Sequence, residues 1–221
     1  MSLTHSPTRS LGGMVAAAHP LAAAAGSEIL RANGNAFDAA VATVATLNVV
    51  EPFMSGLAGL GVATCWTEKE KRIRCLDFTP NVPKDFLAEQ LNKESTNTGP
   101  SASGVPGNLA GWCVLLEKYG SKSLAEVLAP SIRYAREGFP VSNLYIHMAN
   151  LTASRACTSE WQQVYMSGLD SIEENWILRQ PMLAETLEAI ASEGAQFLYQ
   201  GPLGCQMISH IQSLGGCMSI A

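Results

Sequence analysis

A single β-hairpin set among helices is the feature that most constrains how this chain can fold. Two runs with period-two alternation, residues 62–67 and 73–78, flank a charged turn at residues 68–71. This pattern predicts two antiparallel strands joined by a short turn. A two-stranded hairpin is rarely stable alone, so it needs further strands beside it. The one other strand that we predict is Gly13–Ala18, and the sequence therefore indicates an incomplete sheet.

Most of the remaining sequence predicts helices, over about residues 21–31, 36–49, 124–137, 183–191 and 203–214. The many alanines of the second helix favour close packing on another helix or on a sheet. Ser123 and Glu126 form a capping box before the third helix, and Gly138 ends it. The sequence predicts a mixed α/β fold that is mostly helical with one hairpin.

Composition and charge exclude several classes of protein. Hydrophobic residues make up 47% of the chain and charged residues 15%, which is typical of a globular domain. The net charge is −5 and no long basic run is present, so we expect no nucleic-acid partner. The apolar stretch at residues 36–53 contains Asp38, Asn48 and Glu51, and it is too short and too polar to span a membrane. We expect core positions for the four tryptophans, Trp66, Trp112, Trp161 and Trp176.

The cysteines indicate a reducing compartment. None forms a C-x-x-C pair, and no Cys/His cluster has the spacing of zinc ligands, so we expect neither a metal nor a cofactor. Cys65 and Cys75 could face each other across the predicted hairpin, where one disulfide could form. We expect a cytoplasmic protein, although an export signal could precede the first residue.

A series of short motifs, many of them rich in alanine or glycine, follows a fixed order along the chain. The first four are Gly13–Ala22, Ala25–Leu30, Gly34–Val41 and Val50–Gly56. The later ones are Ser103–Gly107 with Ala110-Gly111, Lys118–Gly120, Leu128–Pro130, Ala135–Phe139, and Tyr199–Gly201 before Gly215-Gly216. In this order and at this spacing the motifs resemble the γ-glutamyltranspeptidase family, over residues 12–216.

This resemblance implies the fold and chemistry of an N-terminal-nucleophile (Ntn) hydrolase, a four-layer αββα sandwich. In this family a proenzyme cuts itself into a large and a small subunit, and the new N-terminal Thr of the small subunit is the nucleophile. That Thr attacks a γ-glutamyl amide, and water or an amino acid resolves the acyl-enzyme. The implied partners are a small-molecule amide substrate and the small subunit from the same precursor.

On this resemblance, residues 1–221 form an incomplete large-subunit segment of a single Ntn-hydrolase domain, and no catalytic residue lies within the chain. We expect residues 1–11 to be a disordered start and residues 93–102 to be a surface loop. Thr4-His5 is similar to the Thr-His at the head of the family's small subunit. Because it precedes the large-subunit opening, we assign it to the disordered start.

One departure from the family concerns the substrate. In γ-glutamyl-specific members the strand that returns from the hairpin ends in Arg-Glu, and the Arg binds the substrate α-carboxylate. The resemblance places Thr79 and Pro80 at those positions, and a neutral hydroxyl there would cost about 1.5–3 kcal/mol of recognition. Thr79 and Asp77 are therefore the candidate substrate-binding residues. Because the Arg is absent, a γ-glutamyl substrate is less expected than another acyl group. The glycine-rich turn before the hairpin also has Ala58 and Leu60 where the family usually has Gly.

Three functions follow from these observations. The first is the large-subunit portion of an enzyme that transfers or hydrolyses a γ-glutamyl or related acyl group, matured from a zymogen by autoprocessing. The second is an amidohydrolase of the same family with a cephalosporin-acylase-like specificity. The third is a catalytically inactive homologue that acts as a binding or scaffold subunit. A Thr-His string followed by a Gly-Gly pair beyond Ala221 would favour an enzyme.

Overall fold

Helices dominate the computed structural model, which describes residues 9–87, 99–153 and 158–220. The helices are α1 (Pro20–Arg31), α2 (Ala36–Val50), α3 (Asn108–Tyr119), α4 (Leu124–Glu137), α5 (Asn143–Ala153), α6 (Ser159–Met166), α7 (Pro181–Glu193), α8 (Gln196–Tyr199) and α9 (Pro202–Ser213). The strands are β1 (Val62–Thr67), β2 (Arg72–Asp77), β3 (Phe139–Pro140) and β4 (Ile177–Leu178). The predicted helices and the hairpin are confirmed, with boundaries shifted by a residue or two. Within the described ranges, each helix is too short or too polar to cross a lipid bilayer.

Helices α1 and α2 pack closely because small residues face each other. A Cβ atom built on Gly26 would lie 2.2 Å from Thr43 Oγ1, so only glycine allows this approach. The chain reverses before Asn35, whose side-chain oxygen accepts hydrogen bonds from the N–H groups of Phe37 and Asp38 at 2.8 and 3.2 Å. The close packing predicted from the alanines is thus confirmed as contact between two helices.

Helix α2 contributes to both hydrophobic clusters of the interior. One cluster includes Val49, Val50, Phe139, Tyr145, Met166 and Leu178. The other includes Val41, Ala45, Leu109, Trp112, Leu128 and Ile190. Burying one large apolar side chain contributes roughly 1.5–3 kcal/mol, so these clusters supply much of the stability. They also hold α2 between α1, α4 and α3.

The hairpin register excludes the Cys65–Cys75 disulfide that the sequence allowed. Cys65 lies opposite Arg74, and Cys75 lies opposite Thr64, so the two cysteines point to opposite faces of the hairpin. Directly opposed residues share a face, and successive residues alternate between faces. Both thiols are free.

One face of the hairpin is apolar and open to solvent. Trp66 and Ile73 lie directly opposite each other and are 56% and 68% exposed. Val62 is exposed on the same face, whereas Ala63 and Leu76 on the other face pack against the second cluster. The core position predicted for Trp66 is therefore wrong. The cause is the alternation itself, which directs Trp66 away from the helices.

The predicted strand at Gly13–Ala18 does not form in this structure. The segment has no regular secondary structure, and among the described residues no ladder hydrogen bond pairs it with a strand. A strand needs a neighbour to satisfy its backbone groups, and the described chain places none beside it. The short apolar run in the sequence therefore identified an apolar segment but not its pairing.

The two predicted irregular regions are described only in part. Residues 1–8 of the predicted start and 93–98 of the predicted loop lie outside the described residues. Of the remainder, Leu11 is fully exposed, and Pro100–Ala102 forms a short 3₁₀ helix.

Candidate functional site

The end of strand β2 meets the glycine-rich turn and the start of helix α3. The Phe78 N–H donates to the Gly61 carbonyl at 3.1 Å, which extends the hairpin by one bond. The Gly59 carbonyl accepts from the N–H groups of Gly107 and Asn108 at 2.9 and 3.0 Å. These bonds join three segments that are distant in sequence, so the position of any one of them depends on the other two.

Asn108 ties the glycine-rich turn to helix α3 through its side chain. Its Nδ2 donates to the Gly56 carbonyl at 2.7 Å, and the residue is only 6% exposed. Our sequence reasoning missed this residue. The signal was an amide side chain at the first helical position, directly after the Pro106-Gly107 pair, where a polar group can reach a neighbouring loop.

Phe78 occupies a socket lined by glycine. A Cβ atom on Gly61 or on Gly111 would lie 2.4 Å from the Phe78 ring, and one on Gly107 would lie 2.0 Å from the Phe78 carbonyl oxygen. Each distance is far below a van der Waals contact, so any larger residue would push Phe78 out. The socket therefore fixes where strand β2 ends.

Asp77 and Thr79, the two predicted substrate-binding residues, lie together at this end. The Asp77 Oδ1 accepts the Thr79 N–H at 2.9 Å, and both residues are exposed. The backbone N–H and the hydroxyl of Thr79 together hold the pKa of the Asp77 carboxyl below its usual value. The pair is thus a carboxylate whose nearest donors both come from Thr79.

Tyr199 supports the site from the far end of the described chain. Its hydroxyl donates to the Pro106 carbonyl at 3.0 Å and accepts the Ala110 N–H at 3.1 Å. Burial raises the pKa of Tyr199, so the phenol stays neutral at physiological pH and keeps its proton for that bond. The residue opens the Tyr199–Gly201 motif, but its reach to helix α3 could not be predicted from the motif.

The remaining predicted residues have simpler surroundings. Pro80 packs against Gly104, where a Cβ atom would lie 2.7 Å from the proline Cβ. Ala58 and Leu60 are exposed on the glycine-rich turn. Thr4-His5 lies outside the described residues. In the part of the chain that the structure covers, no three His, Cys, Asp or Glu side chains converge as a metal site.

Comparison with known proteins gives a consistent match. A family model described as Gamma-glutamyltranspeptidase matches residues 22–221. The glutathione hydrolase proenzyme of Bacillus subtilis (strain 168) is 32% identical over 215 residues, which cover 94% of this chain and 37% of that protein. The acylase ACY 1 proenzyme of Pseudomonas sp. (strain V22) is 33% identical over 229 residues, which cover 97% of this chain and 41% of that protein.

A solved structure agrees with these matches. The γ-glutamyltranspeptidase of Helicobacter pylori superposes with a TM-score of 0.90 at 29% identity, over 97% of this chain and 64% of that chain. The predicted fold class, a mostly helical portion of an Ntn-hydrolase sandwich with a hairpin, is confirmed by this likeness. The chain spans well under half the length of the curated relatives, at 37% and 41%.

Proposed function

This chain belongs to the γ-glutamyltranspeptidase family, and we propose that it forms the first part of the large subunit of an enzyme that transfers or hydrolyses an acyl group. The nucleophile would be the N-terminal Thr of a small subunit cut from the same precursor, outside this chain. The names of both curated relatives describe proenzymes, which supports a precursor that is processed. The substrate would be a small amide.

The observation that carries this proposal is the unfinished sheet. Among the described residues, strands β1 and β2 pair only with each other, and Trp66 and Ile73 face solvent. The segment Gly13–Ala18 lies beside helix α2 without a partner strand in the described chain. An exposed apolar face next to unpaired strand edges is unfavourable unless something covers it. We assign that role to the remainder of the precursor.

Thr79 supports an acyl group other than γ-glutamyl. At the position where the family's γ-glutamyl-specific members have a carboxylate-binding Arg, this chain offers a neutral hydroxyl on a residue whose backbone N–H is bonded to the Asp77 carboxylate. A substrate carboxylate buried there would lose its hydration without gaining a cation, whereas an uncharged acyl group loses nothing. An amidohydrolase specificity similar to that of an acylase is therefore our preferred form of the proposal. A γ-glutamyl substrate, as in the γ-glutamyl-specific members of the family, is the alternative to this acylase-like specificity.

A catalytically inactive binding or scaffold subunit is the alternative from another class. The coding sequence beyond Ala221 distinguishes the enzyme from the inactive scaffold subunit. A Thr-His string with a later Gly-Gly pair supports the enzyme, and a stop codon directly after Ala221 supports the scaffold. We also keep a cytoplasmic location as a proposal, supported by the free thiols of Cys65, Cys75, Cys113, Cys205 and Cys217.

Expression of the complete precursor tests the proposed function. We expect it to appear as two polypeptides on a denaturing gel and to release p-nitroaniline from acyl anilides with saturable kinetics. Replacing the first residue of the small subunit by Ala should abolish both processing and turnover, because that residue is the nucleophile in each reaction. An intact single chain without turnover would refute the proposal in favour of the scaffold.

A further inference from the structure

A cavity of about 260 Å³ opens between helices α5 and α6 and the turn that follows α2. Four of its eight lining residues are aromatic, although aromatic residues make up only 7% of the chain. Phe53 comes from the turn, Tyr145 from α5, and Trp161 and Tyr165 from α6. We call this space the aromatic cavity. The proposed function leaves it unused.

The inner wall of the aromatic cavity is held rigidly. Tyr145 and Ala149 are 2% and 5% exposed, so this wall belongs to the core. The Tyr145 hydroxyl donates to the Tyr165 carbonyl at 2.8 Å, which fastens α5 to α6. The rings of Phe53 and Tyr145 meet edge to face, with their centroids 6.0 Å apart. Because these contacts order the rings before a ligand arrives, binding costs less conformational entropy.

The chemistry of the lining favours an uncharged ligand. None of the described residues around the cavity is acidic or basic. Burial raises the pKa values of Tyr145 and Tyr165, so both phenols are neutral at physiological pH. An ion that entered would lose its hydration without meeting an opposite charge. Met148 contributes a thioether, a group that packs favourably against aromatic rings.

The size of the cavity and its aromatic walls favour a flat bicyclic ring. An apolar cavity of about 150 Å³ can hold one benzene ring, so this larger cavity has space for a second, fused ring. Aromatic rings attract each other through their faces and edges, which favours an aromatic ligand over a saturated one of the same skeleton. Among the described residues, Trp161 and Tyr165 form hydrogen bonds only through their backbones. Their indole N–H and phenol groups are thus available to one polar substituent on the ligand.

We infer that the aromatic cavity binds a neutral, flat bicyclic aromatic compound that carries one polar substituent. The four rings, the uncharged lining and the volume together specify this class of ligand. The ligand would contact Phe53, which lies three residues before Gly56, and the Gly56 carbonyl is bonded to the Asn108 side chain. The inference concerns binding alone and goes beyond the proposed function, so it does not require the protein to be an enzyme.

Calorimetric titration of the complete precursor with three bicyclic probes tests the inference. 1-Naphthol is flat and neutral, decahydro-1-naphthol has the same skeleton but is saturated and puckered, and 1-methylquinolinium is flat but cationic. We expect 1-naphthol to bind at one site per chain, and at least about fivefold more tightly than either of the other two. The inference is overturned if 1-naphthol does not bind, as would happen if the remainder of the precursor filled the cavity. Equal or tighter binding of either other probe also overturns it.

Two variants and a control connect the binding to this cavity. Trp161→Leu removes one ring of the lining, and Thr152→Phe adds a large side chain to it, each at a half-buried position. Each variant should weaken 1-naphthol binding by at least about tenfold. Trp66→Leu removes an exposed ring outside the cavity and should leave the affinity unchanged.

Urea unfolding of each variant shows whether it is folded, and a variant that is not folded leaves the decision to the other one and to the three probes on the wild type. An affinity for 1-naphthol that neither Trp161→Leu nor Thr152→Phe lowers would place the binding elsewhere and overturn the inference. An equal loss of affinity in Trp66→Leu would do the same. Loss of binding in the two cavity variants with full binding in the control upholds it.

Discussion

The carboxylate of Asp38, at the start of helix α2, accepts the hydroxyl proton of Ser121 at 2.6 Å although 83 residues separate the two in sequence. The same buried carboxylate accepts the backbone N–H groups of Asn35, Ser121 and Lys122 at 2.8, 2.9 and 3.1 Å. One side chain therefore caps a helix and fastens the loop between α3 and α4 to it.

Removing this carboxylate should destabilise the fold. Hydrogen bonds to a charged group contribute about 1.5–3 kcal/mol each, and Asp38→Ala would remove all four of these bonds. We expect Asp38→Ala to lower the free energy of unfolding by about 3 kcal/mol or more, measured by urea denaturation. The exposed Asp170→Ala should change it by less than about 0.5 kcal/mol. Equal effects of the two substitutions would contradict this role of Asp38.

The same residue should make stability depend on pH in the acid range. Burial raises the pKa of the Asp38 carboxyl, but the hydrogen bonds from Ser121, Asn35 and Lys122 outweigh it, so the pKa is lowered in the folded state. A group with a lowered pKa stabilises the fold above its unfolded pKa of about 4 and loses that contribution as the pH falls through its folded value. We expect the wild type to lose more stability than Asp38→Asn when the pH is lowered from 5 to 2. The measurement is the free energy of unfolding as a function of pH. If it falls equally in the wild type and in Asp38→Asn, Asp38 is not the source of the pH dependence.

A methyl group in the Phe78 socket should be costly, whereas one in the neighbouring turn should not. A Cβ atom on Gly107 would lie 2.0 Å from the Phe78 carbonyl oxygen, and one on Gly56 would meet nothing within 4 Å. We expect Gly107→Ala to destabilise by about 1–3 kcal/mol, the usual cost of overpacking, and Gly56→Ala to be nearly neutral. Thermal unfolding of both variants checks this. Similar melting temperatures would mean that the socket adjusts freely.

Replacing Thr79 by Arg should restore recognition of a substrate carboxylate in the complete enzyme. The guanidinium supplies the two parallel donors that Thr79 lacks, and it would lie beside the Asp77 charge. We expect kcat/KM for γ-glutamyl p-nitroanilide to rise about tenfold, or ~1.4 kcal/mol, and turnover of neutral acyl amides to fall. A wild type that already prefers γ-glutamyl over neutral substrates by a hundredfold would show that another group binds the carboxylate.

The 221-residue chain alone should have no amidase or transpeptidase activity. In the family the nucleophile and the oxyanion-hole donors lie in the small subunit. Within this chain, the one Thr-His similar to the family's nucleophile is Thr4-His5, which we assign to the disordered start. The measurement is p-nitroaniline release from γ-glutamyl and neutral anilides, with a mock purification as the background. Saturable release above that background would prove the expectation wrong.

The exposed hairpin face should make the isolated chain bind hydrophobic dyes. Trp66 and Ile73 form a directly opposed apolar pair on that face, and such pairs are normally covered. We expect dye fluorescence to fall in the double variant Trp66→Gln, Ile73→Gln, and to be weak in the complete precursor. If the isolated chain is strictly monomeric and binds no dye, the exposed hairpin face is stable without a segment packed over it.

Local patterns predicted the elements of this fold well. Ser123 and Glu126 form the expected capping box, and the alternation on each side of residues 68–71 forms the expected hairpin. Both depend on interactions within a few residues, which the sequence order itself specifies. The predicted strand at Gly13–Ala18 was wrong because a strand depends on a partner that a short apolar run does not reveal.

The candidate site was predictable only in part. The motif comparison placed Asp77 and Thr79 at the end of the hairpin, and the structure brings them within one hydrogen bond of each other. Asn108 and Tyr199 were missed as site residues because their contacts cross 52 and 93 positions of sequence. Long-range contacts of this kind follow from packing, and no local pattern contains them.

Helix α2 belongs to both hydrophobic clusters, which has a consequence for how the chain opens. Neither cluster can separate from the helix without leaving apolar surface of the other unsupported, so the two should behave as one cooperative unit. Slowly exchanging amides in α5, whose buried side chains lie in one cluster, and in α3, whose buried side chains lie in the other, should therefore share a single opening free energy in native-state hydrogen exchange.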